Sequence, residues 1–446
     1  MGEMMVPNSA NSSRCRLAAI VLATLTILAP QVGFTQEPAI DLEQARTYFA
    51  EAEQLAEDDG GVLWGVELYG PLLFVHPSTR SVAANFSAAG FSATAGVYTG
   101  ELPADLNPSN TAIDWAGRRW TMLVWPLPSN RYDRQRLLAH ELFHRVQPEL
   151  GLPMLSPPNQ HMATREGRIW TRLEWRALAE ALIRTGRERT AALLDALAFR
   201  ARRHSLFPSA AEEERALELN EGLAEYTGLK LSGLPAEVLP DRAAMALERR
   251  ERQTNFARAF AYATGPAYGL LLDGSGQSWR EGVSATTDLA ALTAEAYGIA
   301  RPRGGDAEMR TSAYDGRRVI EQETRRAERR AERLDSLRAR FLAGPVVRVT
   351  PGAEFRYAFD PNAAVPVPDV GTVYESARVT DTWGVLTVES GGVLLVQTAA
   401  GITEIVVPAP PDTSTPPRSG DGWRLELAPG WRVEAGEQPG DWRVVR

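Results

Sequence analysis

Two histidines and a glutamate stand together in the segment LLAHELFHRVQ: His140, Glu141 and His144. Residues four apart on a helix share a face, so both imidazoles can reach a single ion. Glu141 lies beside them, where it can serve as general base toward a water at that ion. Leu137, Leu138, Leu142 and Val146 are placed to anchor the helix to a core. Further along, ELNEGLAEYTG carries Asn220, Glu221, Ala224 and Glu225. A catalytic zinc takes three protein ligands and keeps a fourth position open. Glu221 can supply the third ligand. Glu225, one helical turn later, can bond the far nitrogen of a ligating histidine and fix its tautomer. Glu166 and Glu218 are the other carboxylates that can fill the third position. The competing reading of Glu221 and Glu225 is a solvated helix face, the usual place for glutamates.

HELFH followed by NEGLAEY resembles the gluzincin metallopeptidases, whose helices carry HExxH and then a glutamate ligand. The resemblance covers the stretch from Trp120 to Tyr297. It implies a zincin-like catalytic domain with one Zn2+ held by His140, His144 and Glu221. It makes Glu141 the base and Glu225 the carboxylate that supports a ligating histidine. The interval from His144 to Glu221 is longer than is common in that group, and the added length reads as two helices. A third segment, AYATGPAYGLLLD, resembles the YxxG segment of the aminopeptidase branch. That implies an oxyanion-stabilising role for Tyr262, with Gly265 completing the pattern and Tyr268 as the neighbouring alternative. Thr264 stands where that branch has lysine, and no GxMEN string is present, so aminopeptidase activity is not implied.

The chain has 5 histidines, so a small supply is concentrated at the motif. His161, in the polar loop PPNQHMATREG, can line a cleft or pack a loop. His76 and His204 read as structural or exposed.

The elements that must position these residues follow from periodicity. Asp41 to Ala56 is helical in pattern, with Leu42, Ala45, Phe49 and Ala52 on one face. Segments Leu63–Val75, Ala93–Tyr98 and Arg118–Trp125 are rich in Val, Trp, Tyr and Thr and are separated by Gly, Pro and Asn, which predicts antiparallel strands. Of these, Arg119–Trp125 precedes the HELFH helix and is the candidate sheet edge for pairing with a peptide backbone. Helices are expected over Arg168–Arg184, Arg189–Arg203 and Ala210–Leu231. Arg317–Arg340 reads as an exposed helix supported by Glu321–Arg325 and Glu323–Arg326 pairs, docking through Ile320, Ala327, Ala331, Leu334, Leu337 and Phe341. From Pro345 onward valine, glycine, proline and tryptophan dominate, with Ala409–Ser419 as a Pro/Ser/Thr loop, which predicts an all-β module.

The fold class expected is therefore α+β. The division expected is a signal peptide over 1–36, a helix and β-sheet part over 37–127, a helical zinc-binding part over 128–344 and a β domain over 345–446. Arg14 and Arg16 precede the apolar run Leu17–Ala29, which is short for a membrane span and suits an export signal. Its removal takes away Cys15, the only cysteine, so the exported chain forms no disulfide and has no stable membrane insertion. A formal charge of −8 argues against a nucleic-acid partner. The function expected is an exported, zinc-dependent peptidase acting on a peptide or protein substrate. Two other readings fit the motif: a non-catalytic binding protein that keeps the fold, and a zinc hydrolase of a non-peptide bond.

Overall fold

In the computed structural model, residues 40–300, 302, 304–359, 364–399, 401–412 and 414–446 are described. The expected export segment, 1–36, lies outside them. No helix among the described residues is long and apolar enough to cross a membrane.

Asp41 caps the first helix, α1 (Leu42–Asp59), by accepting hydrogen bonds from the backbone of Glu43 and Gln44. Six short strands follow: β1 (Leu72–Val75), β2 (Ser81–Ala84), β3 (Ser92–Thr94), β4 (Val97–Glu101), β5 (Thr111–Trp115) and β6 (Arg118–Val124). They form one sheet in the order β3-β4-β2-β1-β6-β5. Alternation along β1 sends Leu72 and Phe74 to the helical core and Leu73 and Val75 to a second cluster with Val82, Trp120 and Met122, so the sheet is buried on both faces.

Three expectations for this region are corrected. The strand expected from Leu63 begins only at Leu72, because Gly60, Gly61 and Gly65 turn the chain in the left-handed region. Trp64 instead packs into the core from that turn, against Phe143 and Tyr226. The sheet is mixed rather than purely antiparallel, since β1 and β6 run parallel. Finally, the strand before the HELFH helix is internal. The chain reverses at Ala116 and Gly117, both with positive φ, and β5 and β6 pair as a hairpin, so β5 is the edge.

The helices are α2 (Arg131–Val146), α3 (Arg165–Ile183), α4 (Gly186–Leu206), α5 (Ala210–Leu217), α6 (Leu223–Lys230), α7 (Leu239–Glu251), α8 (Ala261–Gly274), α9 (Leu289–Ala296), α10 (Ala307–Arg310) and α11 (Gly316–Arg338). They share one apolar core with α1 and the inner sheet face. Helices α3 and α4 are the two expected in the long interval between the motifs.

The helix expected over Ala210–Leu231 is present but not regular. One wider turn, Glu218–Gly222, joins α5 to α6 with the Leu223 amide bonded to the Glu218 carbonyl. Helix α11 also differs from expectation. Ile320 packs on the main core and Leu334, Leu337 and Phe341 in a further apolar cluster, as expected, but the helix also docks through Val319 and the buried Glu323, which pairs with Arg168 and Arg172 of α3 at 2.7 and 2.9 Å. Glu323 is therefore not part of an exposed pair with Arg326, and Ala331 of the expected apolar stripe is exposed. The Glu321–Arg325 pair is present on the surface at 3.4 Å.

Beyond α11 the chain is all β. Strands from Val346–Val349 to Trp442–Val445 build a seven-stranded and a five-stranded sheet. A core of Val347, Val379, Trp383, Leu386, Val393, Ile405 and Leu425 lies between them. The molecule is thus α+β, with a helical region followed by an all-β region.

Candidate metal centre

Helix α2 starts at Asn130, whose side chain accepts the Asp133 amide. Leu138, Leu142 and Phe143 bury it, and the same turns carry His140, Glu141 and His144, all buried. The wider turn Glu218–Gly222, a π turn, presents Glu221 to them from the opposite side. In a regular helix Glu218, Glu221 and Glu225 would share one stripe. The extra residue in the turn rotates Glu218 away, where its carboxylate pairs with Arg200 at 2.7 Å. Glu221 and Glu225 remain facing α2. Gly228 lets α6 come close, since a β-carbon there would stand 2.5 Å from the Arg136 carbonyl oxygen.

The Nε2 atoms of His140 and His144 face each other at 3.2 Å. Glu221 Oε2 lies 3.6 Å from the first and 3.8 Å from the second. A tetrahedral zinc with bonds of about 2.0–2.2 Å separates its ligand atoms by about 3.3–3.6 Å, close to these values. Among the described residues this is the group of His, Cys, Asp and Glu side chains able to hold a metal ion. It offers three ligand atoms.

The other ring nitrogens are committed elsewhere. His140 Nδ1 lies 3.1 Å from Glu225 Oε2, and His144 Nδ1 lies 2.8 Å from Gln147 Oε1. Nδ1 donates in both, which turns both Nε2 lone pairs into the same space. Two lone pairs at 3.2 Å need a cation between them, either a proton or a metal. Burial works against a charged His140, but its bonds to Glu221 and Glu225 outweigh burial and raise its pKa to about 10. Burial raises the Glu221 carboxyl, yet bonds from His140, His144 and Tyr262 prevail and hold it well below the usual carboxylate range. One oxygen of Glu141, Oε2, is buried with no hydrogen-bond partner. Burial pushes that carboxyl up, opposed by charge on His140 and His144. An orphaned acceptor beside two inward-facing imidazoles fits a site able to hold a metal ion.

Tyr262, on α8, stacks on the His140 ring with centroids 5.6 Å apart and donates its hydroxyl to Glu221 Oε2. It belongs to the site. Tyr268 does not: it is buried and donates to Glu174 at 2.7 Å. Glu166 bonds Arg165 and Trp170, and Glu218 bonds Arg200, so neither competes for the third ligand position. His161 is buried away from the centre against Glu214 at 2.8 Å, and His204 shares that carboxylate at 3.0 Å. His76 is also buried and accepts the Thr79 amide.

Sequence reasoning missed several polar side chains at the centre. Gln147 follows His144 by three residues, a spacing that marks it as a neighbour on the same face. Arg136, four residues before His140, pairs with Glu225. Arg258 pairs with Glu221 Oε1 at 2.8 Å from a segment with no local signature. The cleft over the ligands has a volume of 480 Å³, and Asn110 and Thr111 at the β5 edge form part of its wall. No protein-family model, curated protein or solved structure matches the chain.

Proposed function

We propose that this chain is a zinc-dependent hydrolase of the gluzincin type that cleaves amide bonds in peptides. The observation that carries this reading is the convergence of His140 Nε2, His144 Nε2 and Glu221 Oε2 with the unpartnered Glu141 carboxylate beside them. A nitrogen–nitrogen–carboxylate set suits zinc. Bound there, zinc would supply Lewis acidity toward the scissile carbonyl and the attacking water.

The protein's own groups do the rest. Glu141 accepts the water proton at Oε2 and returns it to the leaving amine. Glu225 and Gln147 hold the two imidazoles in the tautomer that leaves Nε2 free. Tyr262 is raised above the ordinary phenol range by burial and by the charge of Glu221, so its hydroxyl stays protonated, and on turning from Glu221 Oε2 it can donate to an oxyanion. The β5 edge offers unpaired backbone groups beside the cleft, where an extended peptide can add as a strand.

A purely structural metal site gains nothing from Glu141 and would close the fourth position with a protein ligand. The test is Glu141→Gln with metal content held equal to that of the parent protein, assayed on a peptide library. The expected result is a loss of hydrolysis of about a hundredfold or more. Equal hydrolysis by the variant removes Glu141 from the reaction.

A further inference from the structure

A second cavity, of 360 Å³, opens beside the metal cleft. Arg136, Glu225, Arg250 and Tyr262 form part of the wall of both, whereas β5 contributes to the metal cleft alone. Four arginines face this cavity, Arg136, Arg242, Arg249 and Arg250, against two carboxylates, Asp133 and Glu225. Glu225 is already engaged by Arg136 and His140. Arg242, Arg249 and Arg250 make no ion pair among the described residues.

Helix α7 builds this asymmetry. Arg242, Arg249 and Arg250 lie along one side, and Ala243 and Ala246 between them keep the floor low. The helix's Glu251 turns the other way, to Arg172 and Arg176 of α3 at 2.6 Å each. Glu248 and Glu251 thus line a different face of α7 from the arginines that line the cavity. Arg250 is half-buried and lies over the Tyr262 ring, 5.1 Å from its centroid. Burial lowers its pKa, and the neighbouring charges of Arg136 and Arg249 add to this against Glu225. Arg242, Arg249 and Arg250, lining one cavity with no ion pair among the described residues, favour an incoming anion, and the forked guanidinium matches a carboxylate.

We propose that this cavity is a subsite for a carboxylate of the substrate, which makes the preferred substrate an acidic peptide. The inference rests on the peptidase reading of the adjoining centre. The carboxylate has two sources in a peptide, an Asp or Glu side chain and the free C-terminus.

The test reads binding on Glu141→Gln protein loaded with zinc, using fluorescent short-peptide pools. One pair of pools has glutamate or glutamine fixed at the centre with the C-terminus amidated. A second pair has central glutamine and a free or amidated C-terminus. Tighter binding of the carboxylate member by about tenfold or more is expected in at least one pair, and the pair that shows it names the source. The ratio falls toward one in the Arg249→Gln/Arg250→Gln double variant. It falls in the same direction in Arg249→Gln alone, an exposed position outside the core. Equal binding within both pairs overturns the proposal, as does a preference that persists in both variants. Hydrolysis of the same pools by the parent protein is scored separately. Carboxylate preference without hydrolysis sinks the peptidase reading and leaves the subsite, and hydrolysis without preference does the reverse.

Discussion

Gly265 of α8 and Gly222 of the π turn touch backbone to backbone: a β-carbon on Gly265 would stand 2.3 Å from the Gly222 Cα and 2.4 Å from its carbonyl carbon. Backbone cannot step aside as a flexible side chain can. Glycine at 265 therefore sets how deeply the turn that carries Glu221 seats against α8, and so where Glu221 Oε2 lies relative to the imidazoles.

Gly265→Ala should push that turn away, at a cost to stability of about 1–3 kcal/mol from overpacking. Metal affinity should fall with it, because Glu221 moves and the histidines do not. Chelator competition against zinc, alongside a urea melt, reads both. Unchanged affinity in a destabilised variant means that the turn's position is not what aims Glu221.

Glu225→Gln keeps the shape but weakens the bond to His140 Nδ1. Loss of such a supporting bond lowers metal affinity by about 10–100-fold. The same chelator titration measures it. An affinity equal to that of the parent removes Glu225 from the support of His140.

Metal uptake should depend on pH. In the metal-free protein His140 is held protonated, with its pKa raised to about 10 by Glu221 and Glu225 against the effect of burial. To ligate, Nε2 must give up that proton, so zinc competes with it at neutral pH. Apparent affinity should rise steadily as pH rises toward about 10, with release of about one proton per metal. Calorimetry in buffers of different ionisation enthalpy counts the proton. A flat affinity across the neutral range contradicts the arrangement.

Acid should loosen the helical core. Burial opposes ionisation of Glu251, but hydrogen bonds and charge from Arg176 and Arg172 outweigh it and lower its pKa. Glu214 is lowered likewise, with Arg203 prevailing over burial. A carboxyl whose folded pKa lies below its unfolded value stabilises the fold above that unfolded value, near pH 4.3 for glutamate. That contribution is lost as pH falls through the folded pKa. The melting temperature should therefore hold at neutral pH and fall below about pH 4.5. Glu251→Gln should melt lower at neutral pH, with the gap narrowing in acid. A gap that widens in acid reverses the assigned sign.

The parts of the fold that were legible in the sequence are those with a local signal. The stripe Ile169, Leu173, Leu178 and Leu182 marks α3, and the four-residue spacing of His140 and His144 puts two imidazoles on one face whatever surrounds them. Tyr262 was legible through its segment, with Tyr268, six residues on, as the alternative; the hydroxyl of Tyr268 is bonded to the buried Glu174. What was not legible depends on distant partners. No local pattern announces the extra residue between Glu218 and Gly222, yet that residue decides which glutamate faces the histidines. The parallel pairing of β1 with β6 and the exposed edge of β5 arise from register between segments far apart in the chain. Glu323 read as one half of a surface pair because its true partners, Arg168 and Arg172, lie on another helix.

Metal analysis of purified protein after dialysis against trace zinc tests the three-ligand centre most directly, with His144→Ala and Glu221→Ala prepared in parallel. About one equivalent of zinc should remain on the parent protein and be lost from both variants. A parent that takes up no transition metal, or a Glu221→Ala protein that retains a full equivalent with unchanged affinity, contradicts the account.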